Sequence, residues 1–89
     1  MREFCVEEEL KKKLNKLFKK DKALYEATMK KIEEIIHCED VDHYKNLRAP
    51  LEKFKRVHVK SSFVLIFQYK REEDSVVFYD VDHHDFIYH

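Results

Sequence analysis

The sequence predicts an α+β fold in which a two-helix hairpin packs on one face of a small antiparallel β-sheet. Three observations predict it. Apolar side chains in residues 7–37 recur at three- and four-residue intervals, the period of a helix. Residues 54–82 instead form short β-branched and aromatic segments separated by polar turns. The joint between the two helical stretches, Lys20-Asp21-Lys22, is so short that the helices must run antiparallel. A chain of 89 residues is read as one domain, 1–89.

Arg2–Val6, with Phe4 and Val6 on one face, reads as an edge strand or as a lead-in to the first helix. From Glu7, the residues Leu10, Leu14, Leu17 and Phe18 fall on one helical stripe. Glu7, Glu8 and Glu9 in its first turn and Lys19 and Lys20 in its last suit the helix dipole. Asp21 is a candidate N-cap for a second helix over 22–37, whose stripe is Tyr25, Met29 or Thr28, Ile32, Ile35 and Ile36. Residues 38–51 carry the sole proline and no period, and read as a loop that includes Asp40, Asp42 and His43. The run Lys11-Lys12-Lys13 reads as a solvated helix face.

Three antiparallel strands follow. In the first, 54–59, Val57 and Val59 alternate with Arg56, His58 and Lys60, so the apolar pair faces a core and the polar three project together from the other face. The second, 63–70, is apolar from Phe63 to Phe67 and reads as a central strand covered on both faces. Arg71-Glu72-Glu73-Asp74 closes a hairpin onto the third strand, 75–82, which ends in a tail rich in His and Tyr. Leu10, Leu14, Leu17, Tyr25, Ile32, Ile36, Val57, Val59, Leu65 and Phe67 are expected to share one core.

Composition excludes several classes. Apolar residues make up 44% of the chain, too many for disorder despite 40% charge. Glycine is absent, which removes every Gly-rich phosphate loop and dinucleotide fingerprint. The charges balance at 18 against 18, yet unevenly: residues 45–60 hold six bases and one acid, and residues 72–85 hold six acids and no base. No apolar run approaches the ~20 residues of a membrane span. The charged N-terminus does not read as a secretory leader, so a cytoplasmic location is expected, with Cys5 and Cys38 reduced, buried and inert.

The chemistry resides in the strands. Arg56 suits a phosphate by bidentate geometry and Lys60 as a point charge, with His58 between them as a candidate acid or base. His83 or His84 could converge on the same face, and the register decides which. The ordinary alternative is that Arg56, His58 and Lys60 are the protective charges of an edge strand. Asp82, His83, His84, Asp85 and His89 offer N and O ligands, but neighbours on a strand face opposite ways and no spacing matches a zinc motif. Neither metal nor cofactor is therefore expected.

The order of helical hairpin, FKRVHVKSSFVLIFQY and SVVFYDVDHHDFIY resembles the RelE/ParE superfamily of bacterial and archaeal toxins. The resemblance implies the element order β-α-α-β-β-β, which makes residues 2–6 a strand. It also implies the toxin of a type II toxin–antitoxin pair, a ribosome-dependent and metal-independent mRNA endonuclease held silent by a cognate antitoxin. The alternative within the superfamily is non-catalytic: a gyrase poison, or a decayed toxin that still binds its antitoxin. A homodimer is compatible with either. By position, Lys60 stands where relatives usually carry Arg, Tyr88 matches the C-terminal tyrosine, His83 and His84 match the polar end of the last strand, and Lys53 and Lys55 match the lysines that contact RNA. Phe63 and Val64 replace the usual Gly and Arg of the second strand, and Asp80, Asp82 and Asp85 are acidic where many relatives are not.

Overall fold

In the computed structural model, which describes residues 1–87, helices and sheet form as the periodicities require. Strand β1 (Glu3–Val6) leads into α1 (Glu8–Lys20) and α2 (Lys22–His37). A 3-10 turn (Val41–His43) and a two-residue strand β2 (Lys45–Asn46) lie in the segment expected to be only a loop. Strands β3 (Lys55–Val59), β4 (Phe63–Lys70) and β5 (Ser75–His83) follow, and a four-residue helix α3 (His84–Ile87) closes the described chain. The sheet order is β1-β5-β4-β3-β2. Among the described residues only β1 pairs in parallel, with Glu3 opposite Ser75 and Val6 opposite Phe78. It is therefore an edge strand and not a lead-in.

The hairpin forms because Asp21 serves both helices. Its backbone N–H donates to Leu17 O at 2.8 Å, and its side chain accepts the Leu24 N–H at 3.1 Å. The helical stripes then meet the inner face of the sheet. Leu10, Leu14, Ile32, Ile36, Val59, Leu65 and Phe67 join one buried cluster, with Leu17, Tyr25 and Val57 packed half-buried against it, so the ten expected residues share a core. Leu24 and Thr28 belong to the buried stripe of α2 as well. Thr28 tolerates burial because its hydroxyl donates to Leu24 O at 2.8 Å.

Residues 38–51 also contribute Val41 and Tyr44 to the core. Tyr44 packs edge-on against Phe67 at 5.6 Å, and its hydroxyl donates to Glu34 at 3.0 Å. Arg2 fastens the N-terminus, donating from its guanidinium to Ile35 O at 2.7 Å and to Asp74 at 3.1 Å. The two thiols are free, as expected, but not buried as expected: Cys5 is exposed on β1 and Cys38 is half-covered. Cys5 lies across from Val77 on the edge strand, which leaves it open to solvent.

The other face of the sheet positions the site. The antiparallel registers set Arg56 opposite Ile66 and Ile66 opposite Asp80, and likewise His58 opposite Val64 and Val64 opposite Asp82. Val64, Ile66 and Val77 on this outer face are buried, so β4 is covered on both sides as its continuous apolar run requires. Between Ile66 and Phe67 the register slips, because β5 carries one extra residue, Tyr79. The bulge brings Tyr79 and Asp80 to the same outer face. There the Tyr79 ring meets Phe54 edge-on at 4.9 Å and its hydroxyl donates to Gln68 at 3.3 Å.

Candidate nucleic-acid interface

Strand β3 supplies the first part of the site. Arg56 and His58 stand next but one to each other on the outer face, as period two requires, while Val59 is buried on the inner face. Lys60 does not continue that row. It lies beyond the strand at φ 57°, in the left-handed region, as the first residue of the turn to β4. In a chain without glycine a lysine has to accept that conformation. The turn puts Lys60 at the corner of the sheet rather than on its face.

Lys55 is a second correction. Expected to contact RNA, it is instead buried on the inner side. Its ammonium donates to Tyr44 O and to Asn46 Oδ1, both at 3.0 Å, and lies 3.6 Å from Asp42. Asp42 is also gripped by Arg71 at 2.6 and 3.2 Å, and the Arg71 hydrogen bonds hold its carboxyl below the usual carboxylate range. Lys55 therefore fastens the 3-10 turn and β2 to the sheet. Lys53 keeps the surface position expected of it, its ammonium 5.2 Å over the Phe54 ring.

Sequence reasoning missed Lys45. The β2–β3 register places it directly across from Arg56, so both cations project on the same side of the sheet. Like charges facing one another across a strand pair repel, and a sheet gains nothing in stability from keeping them. The signal was present in the basic stretch of residues 45–60, but a two-residue strand has no period to reveal it.

The end of β5 supplies the second part. The strand ends at His83 and His84 begins α3, so these neighbours do not face opposite ways as an extended tail would require. Their rings stack instead, with centroids 4.7 Å apart and planes 27° apart. Register puts His83 on the inner-face row with Val59 and Phe63, where its ring meets Phe63 edge-on at 5.6 Å. It is Asp82, not a histidine, that shares the row of His58. The Asp85 N–H donates to His83 Nδ1 at 3.2 Å, and the Asp85 carboxylate lies 3.5 Å from His83 Nδ1 and 3.1 Å from His84 Nδ1. The His84 N–H donates to Ser62 O at 2.9 Å, which ties the histidine pair to the turn that carries Lys60. Phe86, 71% exposed, is the large aromatic beside them. Tyr88 lies outside the described residues.

Asp80 and Asp82 would oppose a polyanion on the outer face, but Lys13 answers both. Its ammonium reaches across the free edge of β5 and donates to Asp80 at 2.6 Å, to Asp82 at 3.2 Å and to Val81 O at 3.1 Å. Partial burial works against its charge, yet the two carboxylates outweigh that and raise its pKa. Lys13 is thus not part of a purely solvated helix face.

No family model matches the chain. A curated protein of Methanocaldococcus jannaschii that carries the provisional name toxin RelE4 is 49% identical over 88 residues, covering 99% of this chain and 92% of that protein. The toxin–antitoxin complex RelBE2 of Mycobacterium tuberculosis contains a chain that superposes with a TM-score of 0.74 at 20% identity, over 92% of this chain and 90% of that one. The isolated E. coli RelE toxin superposes with a TM-score of 0.72 at 20% identity, over 93% of this chain and 84% of that one. The two solved structures show a shared fold, and the archaeal relative shows descent.

Proposed function

Because the chain belongs to the RelE toxin family, as near-full-length identity to the archaeal relative shows, we propose that it is the toxin of a type II toxin–antitoxin pair and cuts mRNA on the ribosome. Cleavage proceeds by attack of the 2′-hydroxyl on the adjacent phosphorus. A base removes the hydroxyl proton, the bond to the 5′-oxygen breaks, and an acid returns a proton to that oxygen, leaving a 2′,3′-cyclic phosphate and a 5′-hydroxyl. Charge gathers on the phosphoryl oxygens during the step, and fixed cations lower its cost.

The observation that supports this reading is the hydrogen bond from His84 N to Ser62 O, which gathers the stacked histidines and Lys60 at one corner of the sheet. Arg56, with Lys45 opposite, offers cations to the strand of phosphates approaching that corner, and Lys53 extends them. His84, His83 or His58 moves the protons, and Tyr88 assists as acid or as a stacking ring. Lys55 has no part in RNA contact, since its ammonium is engaged inside.

A cognate antitoxin covers this basic surface. An acidic segment that folds on binding suits Lys45, Lys53, Arg56 and Lys60, and its affinity falls as salt rises. The acids Asp80 and Asp82, which outnumber the Lys13 ammonium that holds them, favour a second reading in which the chain binds gyrase or its antitoxin without cutting RNA. The deciding experiment is a cell-free translation reaction with mRNA ends mapped, run beside a gyrase supercoiling assay. Cuts within translated codons support the nuclease. Intact mRNA together with blocked supercoiling supports the second reading.

A further inference from the structure

We infer that His83, His84 and Asp85 form a three-ligand site for a divalent transition-metal ion such as Zn²⁺, and that an ion held there switches the nuclease off. The inhibitory half rests on the function proposed above. The binding half rests on geometry alone.

The sequence argued against such a site, because adjacent histidines on a strand diverge. The structure removes that objection by ending β5 at His83 and turning into α3 at His84. One ligand atom from each of the three residues then lies within 4.8 Å of the others. A tetrahedral ion with bonds of 2.0–2.1 Å to nitrogen or oxygen separates its ligands by roughly 3.3 Å. Asp85 Oδ2 stands 3.5 Å from His83 Nδ1 and its Oδ1 stands 3.1 Å from His84 Nδ1, so each ring already has a carboxylate oxygen beside it. The set closes when the stacked rings, 4.7 Å apart at their centroids, tilt toward the carboxylate. His83 Nδ1 accepts the Asp85 N–H at 3.2 Å, a hydrogen bond that an ion bound to this nitrogen replaces.

The donor set decides the class of ion. Two imidazoles and one carboxylate suit Zn²⁺, Co²⁺, Ni²⁺ or Cu²⁺ and offer little to Mg²⁺ or Ca²⁺, which prefer oxygen. All three side chains remain at least a third exposed, which leaves room for water at the remaining coordination position. The ligands are consecutive in sequence, so little chain has to be ordered to bring them together. An ion on both imidazoles removes their lone pairs from proton transfer. Metal therefore acts as a brake here and not as a cofactor.

The test uses the untagged full chain. Titration with Co²⁺, followed by its visible d–d absorption, and calorimetry with Zn²⁺ are expected to give a single ion per chain. Asp85→Asn and His83→Ala should each weaken binding at least tenfold, while His43→Ala, remote from the cluster, should not. Equal affinity in the wild type and both cluster variants overturns the site, and so does failure of the wild type to bind. In translating extract, Zn²⁺ should suppress mRNA cleavage by the wild type in proportion to occupancy, and Asp85→Asn should require at least tenfold more Zn²⁺ for the same fractional suppression. Binding without suppression overturns the brake and removes the paired imidazoles from the chemistry. If the wild type cuts no mRNA, the proposed function fails, and the cobalt spectrum still decides whether the site exists.

Discussion

Replacing Lys55 separates a structural lysine from an RNA-binding one. Lys55→Met keeps most of the aliphatic volume and removes the ammonium. Two acceptors then lose their donor, Tyr44 O and Asn46 Oδ1, each at 3.0 Å. Asp42 matters less, since it sits at 3.6 Å and keeps its hydrogen bonds to Arg71. Two lost charge-assisted bonds, one from a buried site, amount to about 2–4 kcal/mol after the unfolded chain's own hydration is counted. With a urea slope of about 1–1.5 kcal/mol/M for a chain of this size, the midpoint should fall by about 2 M at constant slope. The assay is urea unfolding followed by circular dichroism. An unchanged midpoint together with lost mRNA cleavage would refute the burial argument and return Lys55 to the RNA surface.

Further outcomes follow from the same geometry. Phe67 is fully buried between Tyr44 and Phe78, and Phe67→Ala should cost about 3–5 kcal/mol by the same unfolding assay. Stability should fall in acid: Arg71 lowers the pKa of Asp42, Tyr69 and then Arg2 lower that of Asp74, and Lys31 lowers that of Glu34 against the effect of burial. Folded values below the ordinary 3.8 and 4.5 mean that this stabilisation is complete above those values and is lost as pH falls below them. Asp42→Asn should flatten that loss when melting is compared at neutral and acid pH. Lys13→Ala leaves Asp80 and Asp82 unanswered on the outer face, and should slow mRNA cleavage several-fold with a stability cost of at most about 1 kcal/mol for so exposed a pair.

Much of the fold was legible because long periods are hard to mistake. The stripe of α2 and the unbroken apolar run of β4 gave those elements their observed bounds, 22–37 and 63–70. Val41 and Tyr44 escaped notice because lone anchors in an aperiodic segment carry no pattern. The burial of Lys55 was legible as well. Period two already set it on the side of Val57 and Val59, and the positional likeness to RNA-binding lysines overrode that alternation. The site was half legible. Arg56 and His58 follow from strand alternation, whereas the displacement of Lys60 and the stacking of His83 on His84 depend on where two strands stop. Strand ends are set by tertiary hydrogen bonds such as His84 N to Ser62 O, and residues so far apart in sequence leave no local signal of their pairing.

The histidine-bearing corner is the proposed place of RNA chemistry. The most direct measurement is mRNA end mapping in a translating extract with wild type, His84→Ala and His83→Ala, each first shown to be folded. The wild type should cut within translated codons and keep cutting in the presence of 1,10-phenanthroline. Loss of the histidine that serves as acid or base should lower the rate by about 10²–10⁴. Cleavage undiminished in both variants, or no cleavage by the wild type on any translated message, would contradict it.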